Sequence, residues 1–132
     1  MVALAAVAVA FLQGGNLVVA NVAAHTQRVV VRHAGVGPVA WSGDGKLVSA
    51  GGRIAGGPTL PAAKLAWAPA GETAAYVTKG EGVAVWSPAT GIRRVAPDGW
   101  GAWSVAWNGR RLAIGRAVCP HHRCGVPTHS EL

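Results

Sequence analysis

One short phrase occurs three times in this chain: two apolar residues, a tryptophan and a polar reversal. The copies cover residues 39–47, 65–72 and 105–112, and their tryptophans are Trp41, Trp67 and Trp107. Each copy reads as a strand, a turn that contains glycine and a second strand, which is typical of an antiparallel hairpin. Because units that repeat in this way stack on one another, the phrase predicts several similar small sheets.

The composition is that of a folded all-β chain. Apolar residues make up 51% of the sequence and charged residues 13%, which excludes a disordered chain. The 19 glycines and 8 prolines separate short Val-rich runs, and no segment has a helical period. Since most of the apolar residues are Ala and Val, the six tryptophans must supply much of the large packing surface.

A second phrase occurs twice. It covers residues 82–95, with the turn Pro88-Ala89-Thr90-Gly91, and an earlier counterpart covers residues 17–32. The later copy resembles the phrase that closes many blades of bacterial TolB-like and WD-type β-propellers, where a strand ending in Trp and a small polar residue, here Trp86-Ser87, precedes a Pro-x-Thr-Gly turn. The resemblance covers most of residues 7–116. It implies an all-β fold of antiparallel four-stranded blades.

The opening phrase departs from the Ser-Pro-Asp-Gly turn that is common in these families. Gly43 stands in place of the proline, Ala70 in place of the aspartate, and the third copy contracts to Asn108-Gly109. Tight reversals remain possible, because Asp-Gly and Asn-Gly pairs favour them. The sequence lacks the Gly-His opening and Trp-Asp closing of eukaryotic WD repeats, so the resemblance supports a fold and not a ligand site.

The phrases divide residues 1–116 into blade pieces at about 7–33, 37–50, 63–96 and 103–116, followed by a loop or tail at 117–132. Trp67 and Trp107 are 40 positions apart, close to the length of one blade, whereas Trp41 and Trp67 are 26 apart. Residues 51–61 are then either an irregular substitute for the outer strands or the mark of a deletion. Because a propeller has about four to eight blades, we expect an incomplete β-propeller that self-associates through exposed blade faces or belongs to a larger protein.

The first 24 residues carry no charged side chain. The apolar run at 2–12 is too short to span a membrane, and it lacks the basic residue that precedes a secretory apolar core. A strand hairpin is favoured here, with a signal segment as the alternative, and no transmembrane span is expected. The resemblance implies a cell-envelope location, periplasmic or secreted, with the cytoplasm as the alternative.

The charged residues do not form an obvious site. The net charge is +7, but the basic residues are spread along the chain, which argues against a nucleic-acid-binding surface. Only five residues are acidic, and nothing in their spacing brings two carboxyls into one pocket. The Gly-x-Ser-x-Gly elbow is absent, and residues 51–57 lack the ending of a phosphate loop. The chain is therefore predicted to be no enzyme and to use no cofactor.

The residues with metal-ligand chemistry lie near the carboxyl end. Two thiols and three imidazoles occur within residues 119–129, and Cys119, His121, Cys124 and His129 could supply a tetrahedral zinc site. The Cys spacing is loose for zinc. A disulfide between Cys119 and Cys124 and a pair of free thiols are the other two interpretations, and no metal site is assigned.

The resemblance implies a non-enzymatic module that binds protein or peptide partners or serves as a scaffold. The alternative is an accessory propeller domain that gates substrate entry to a hydrolase. In these families binding usually involves the loops around the central channel, which here correspond to residues 36–38 and 99–103. Trp100 and Trp103 are the candidate binding residues, and the alternative for Trp100 is an aromatic that closes the gap between two blades.

Overall fold

The computed structural model describes residues 8–117 in full and the backbone of residues 129–131. The described part is all-β and contains no helix, which confirms the fold class at this level. Short Val- and Ala-rich runs form the strands, and glycines or Asn-Gly and Asp-Gly pairs occupy the reversals between them. The strands are β1 Ala8–Gln13, β2 Asn16–Asn21, β3 Thr26–Val31, β4 Val39–Trp41, β5 Val48–Ala50, β6 Arg53–Ile54, β7 Ala66–Trp67, β8 Ala74–Val77, β9 Val83–Ser87, β10 Gly91–Ala96, β11 Ala102–Asn108, β12 Arg111–Arg116 and β13 His129–Glu131.

Within the described residues these strands form four antiparallel sheets that follow one another along the chain. The first sheet is β1-β2-β3, the second is β4-β5-β6, the third is β10-β9-β8-β7 and the fourth is β11-β12-β13. Each strand pairs with its neighbour in sequence, so the sheets are simple meanders. None of the four closes on itself in the part of the chain that the structure describes.

Three apolar clusters hold consecutive sheets face to face. The first lies between the first and second sheets, the second between the second and third, and the third between the third and fourth. The buried members of the first cluster are Leu17, Ala34, Val48 and Ala50. Those of the second are Ile54, Leu60, Tyr76, Ala84 and Trp86, and those of the third are Val83, Ala96, Ala102 and Ile114. The core is therefore divided into three layers, each shared by two sheets.

The first and third sheets have the same irregularity at the same place. The pairing of β3 with β2 skips Val30, and the pairing of β10 with β9 skips Val95. Directly opposite each bulge, Leu17 and Val83 are completely buried against the following sheet. A bulge bends and twists the strand that contains it. The two copies of the second sequence phrase therefore bend β3 and β10 at the same position.

Residues 51–62 are an irregular substitute for outer strands in the second sheet. The two-residue strand β6 and a single bridge between Arg53 and Thr59 replace longer pairing. The amide of Leu60 donates to the carbonyl of Gly52 at 2.8 Å, which folds the segment back so that the Leu60 side chain enters the second cluster. Trp41 and Trp67 are thus close in sequence because the second sheet replaces long outer strands with a two-residue strand and one bridge.

The sequence predicts a loop or tail at residues 117–132, and the described backbone of that segment includes one short strand. Residues 129–131 form β13 and pair antiparallel with residues 114–116 of β12. A sheet edge offers unpaired backbone groups to any nearby segment. Three residues carry too little pattern for this pairing to be read from the sequence.

The repeated tryptophans face the preceding sheet. The indole nitrogen Nε1 of Trp67 donates to Ser49 Oγ of the second sheet at 3.0 Å, and that of Trp107 donates to the Ala66 carbonyl of the third sheet at 2.7 Å. Trp41 packs against the cluster between the first and second sheets. Because side chains alternate along a strand, the alanine before each tryptophan points toward the following sheet.

Candidate functional site

The candidate site is a groove between the third and fourth sheets, at the ends where β7 and β11 begin. It has a volume of about 230 Å³. Most of its walls are apolar, with one amine and one hydroxyl group. We call it the Trp103 groove; its lining consists of Ala63, Lys64, Ala66, Val77, Trp103, Ser104 and Val105.

A bulge in β11 places Trp103 at this groove. Ala102 pairs with Arg116 and Ser104 with Gly115, so Trp103 is the extra residue. A bulge redirects the side chain of the residue it inserts, and the Trp103 side chain is 53% exposed. A Cβ atom at Gly115 would lie 2.6 Å from Ser104 Oγ, so a larger residue opposite the bulge would displace the Ser104 hydroxyl.

A polar network fixes the loop that leads into β11. Thr78 Oγ1 donates to Asp98 Oδ1 at 2.8 Å and accepts from the Gly82 amide at 2.9 Å. Arg94 forms an ion pair of 2.7 Å with the same Asp98 oxygen. The Thr78 hydrogen bond first, and Arg94 second, hold the pKa of Asp98 below its usual value. The network ties the loop at residues 97–101 to the hairpin between β8 and β9.

Trp100 and Trp103 have different surroundings although they are three residues apart. Trp100 is partly buried against the third cluster. The Arg116 guanidinium lies 4.1 Å from the centre of its ring, and Arg116 Nε donates to the Trp100 carbonyl at 2.7 Å. Trp100 therefore fills the junction of the third and fourth sheets, and Trp103 presents an accessible aromatic face.

A second cavity, of about 370 Å³, lies at the other end of the same pair of sheets. Its aromatic residue, Trp107, has its indole N–H engaged by the Ala66 carbonyl. The rest of the lining comes from the two reversals, at residues 68–73 and 109–110. Each cavity has one basic residue in its lining, Lys64 in the groove and Arg110 in the second cavity. The Trp103 groove is the stronger candidate because its aromatic ring is exposed, whereas Trp107 is partly buried.

Two carboxyls meet on the surface, which the spacing of the acidic residues did not predict. The carboxyls of Asp44 and Glu72 hydrogen-bond to each other. Ser42 Oγ donates to Asp44 Oδ1 at 2.6 Å, and this bond is the main cause of a lowered Asp44 pKa. The Asp44 carboxyl raises the pKa of Glu72. Asp44 is exposed and Glu72 is partly exposed, and the pair links the turns of two neighbouring sheets.

The proposed ligands of the carboxyl-terminal cluster lie mostly outside the described residues. Cys119, His121 and Cys124 fall in residues 118–128, and only the backbone of His129 is described, in β13. The zinc, disulfide and free-thiol interpretations stay predictions. Among the described residues no group of three or more His, Cys, Asp or Glu side chains is arranged to hold a metal ion.

The chain has no match among protein-family models, curated proteins or solved structures. No described segment forms a helix with the length and apolar character needed to cross a membrane. Sequence reasoning selected the loop at 99–103 but missed Lys64 and Val77, which come from two other elements. Their part in the groove depends on how the third and fourth sheets pack, and no local motif encodes that packing.

Proposed function

We propose that this protein is a non-enzymatic binding module, built as an incomplete β-propeller, that takes a peptide segment of a protein partner in the Trp103 groove. The observation that carries the proposal is the half-exposed Trp103 ring beside Lys64 in an otherwise apolar groove. Exposed tryptophans in apolar pockets are typical anchors of protein interfaces.

The size of the groove favours a peptide over a cofactor. Pockets for drug-sized ligands have volumes of about 300–1,000 Å³, and this groove has about 230 Å³. That volume suits one or two side chains of a bound segment. Since Lys64 is the only charged residue among the described residues of the lining, the segment should pair an apolar or aromatic side chain with a carboxylate.

The stacking of the sheets supports the propeller part of the proposal. Four sheets in the described residues follow one another with a shared apolar layer at each junction. The tryptophan of one sheet reaches the preceding sheet at two of these junctions. Repeated sheets that each pack only on their neighbours are the arrangement of propeller blades.

The test is selection of short random peptides displayed on phage against the intact chain, followed by affinity measurement for the enriched peptides. Trp103→Ala should weaken their binding at least about tenfold, because loss of a buried aromatic anchor costs about 2 kcal/mol or more. Lys64→Gln should weaken binding of carboxylate-bearing peptides selectively.

Ile92→Ala is the matched control, since Ile92 is 57% exposed on the outer strand β10, away from the groove. Its binding should equal that of the wild type. The proposal is wrong if no peptide is enriched, or if Trp103→Ala and Ile92→Ala bind the enriched peptides equally.

A further inference from the structure

The two ends of the stack of sheets are unlike. The fourth sheet turns a face of small residues outward, formed by Ala106, Ala113 and Gly115, and Ala106 is exposed. The outward side of the first sheet carries larger apolar residues, Val9, Phe11, Val18 and Val29, which share one side through the pairing of β1 with β2 and of β2 with β3. Val9 is 46% exposed and Val29 is 42% exposed. We call these the small-residue face and the apolar face.

The small-residue face has buried counterparts inside the stack. Ala106 pairs with Ala113 as Ala66 pairs with Ala75 in the third sheet, and both pairs stand beside a repeated tryptophan. In the third sheet Ala75 is completely buried, and the Ala66 carbonyl accepts the Trp107 indole of the next sheet. Ala106 and Ala113 therefore occupy the position that receives a following sheet.

The apolar face also has a buried counterpart. Val9 and Phe11 of β1 hold the register positions that Ala74 and Tyr76 hold in β8, as the matched bulges of the first and third sheets show. In the third sheet this side is buried in the second cluster. The apolar face of the first sheet is thus equivalent to the side of the third sheet that packs on the preceding sheet.

We infer that the apolar face of one copy packs on the small-residue face of a second copy, so that the chains associate head to tail. This inference rests on the propeller-type stacking of the proposed function. Small residues leave the depressions that larger apolar side chains fill, so the unlike faces complement each other. A head-to-tail contact uses two different patches on each copy, and it forms a closed ring when the rotation between copies allows closure.

Sedimentation velocity at micromolar concentration tests this inference. The wild-type chain should sediment as a dimer or larger ring. Ala106→Arg on the small-residue face and Val29→Arg on the apolar face should each reduce it to the mass of one chain. Val36→Arg is the matched control, because Val36 is 98% exposed in the loop between the first and second sheets, and it should keep the wild-type mass.

Mixing the two face variants distinguishes head-to-tail packing from like-with-like packing. Tagged Ala106→Arg should capture untagged Val29→Arg, because that pair retains one intact contact, and tagged Ala106→Arg should not capture untagged Ala106→Arg. A monomeric wild-type chain overturns the inference, and so does a single face variant that keeps the wild-type mass. Should either variant fail to unfold cooperatively, Ala113→Arg or Val9→Arg takes its place.

Peptide affinity separates this inference from the proposed function. Both monomeric variants should bind peptides in the Trp103 groove as the wild type does, since neither substituted residue lines the groove. Failure of peptide selection with an intact dimer would overturn only the proposed function. A wild-type chain that is monomeric and binds peptides would overturn only the head-to-tail contact.

Discussion

At the scale of single residues, the position of a tryptophan in its strand determines whether its ring packs between sheets or is exposed. Trp67 and Trp86 meet edge to face, with ring centres 6.3 Å apart, and the Trp67 indole also reaches Ser49 in the second sheet. Trp103 stands in a bulge and half of its surface is open. The repeated phrase identified the first kind of position, because it recurs at fixed register. It could not identify the second, because a bulge depends on the partner strand.

Replacement of these tryptophans should separate packing from binding. Trp67→Ala removes a ring from the layer between the second and third sheets, and we expect it to lower the free energy of unfolding by about 3–5 kcal/mol. Trp103→Ala should change it by less than about 1 kcal/mol, because the ring is half exposed. Urea unfolding followed by circular dichroism measures both values. Equal losses would show that Trp103 is a packing residue.

The pair of carboxyls formed by Asp44 and Glu72 predicts how the stability of the protein depends on pH. The pKa of Glu72 lies above its ordinary value of 4.5 because the protonated carboxyl hydrogen-bonds to Asp44. The stability from this bond is present below pH 4.5 and is lost as the pH rises through the folded-state pKa. Glu72→Gln keeps an N–H donor at every pH. The variant should therefore match the wild type near pH 4 and be more stable than it at pH 7, in urea unfolding at both values.

The lowered pKa of Asp44 acts in the opposite direction, since its contribution is present at neutral pH and is lost in acid. Asp44 is present in both proteins, so this effect largely cancels in the comparison. Glu81→Gln, at an exposed turn residue, controls for the change in net charge. A stability difference between Glu72→Gln and the wild type that does not vary with pH would contradict the assigned bond.

At the scale of elements, the turns connect neighbouring sheets as well as neighbouring strands. The amide of Asp44 donates to the carbonyl of Gly71 at 3.0 Å, which joins the reversal of the second sheet to that of the third. A Cβ atom at Gly43 would lie 2.5 Å from the Ala70 amide nitrogen. This close approach explains why the turn departs from Ser-Pro-Asp-Gly. The sequence showed the departure, but its cause lies 27 positions away, at residue 70.

Gly43→Ala should therefore be costly although the residue is in a reversal. We expect a loss of about 1–3 kcal/mol, as for other substitutions that force packed groups apart. In Gly45→Ala, in the same turn, the added Cβ atom would meet no atom within 4 Å. Its cost comes only from the positive φ of 73° at that residue. Thermal unfolding of the two variants compares them. A smaller loss at Gly43 than at Gly45 would rule out the contact between the turns.

At the scale of the whole molecule, burial should increase from the ends of the stack toward the middle. The third sheet has an apolar cluster on each face, whereas the first sheet exposes Val9 and Val29. Protection of backbone amides follows burial and local stability. Hydrogen exchange followed by mass spectrometry of a monomeric face variant should thus show β8 and β9 exchanging slowest and β3 fastest. Uniform exchange in all four sheets would indicate a single undivided core.

The all-β class and the hairpins could be predicted because their signals are local: glycine reversals, alternation and the repeated phrases. The groove and the carboxyl pair could not be predicted, because each joins residues from different sheets. Lys64 precedes β7 and Val77 ends β8, and only the packing of β11 against that sheet brings them to Trp103.

The hydrogen bonds of the repeated tryptophans have a consequence for how such chains can lengthen. Each of the two bonds runs from an indole to the preceding sheet, where Ser49 accepts from Trp67 and the Ala66 carbonyl accepts from Trp107. Ser49 is the strand partner of Ala40, so both acceptors lie at the alanine position that precedes a repeated tryptophan or directly across from it. Removal or duplication of one complete unit would therefore leave matching surfaces at the new junction. Gain and loss of whole units should be tolerated here better than a shift of a few residues, which would separate a ring from its acceptor.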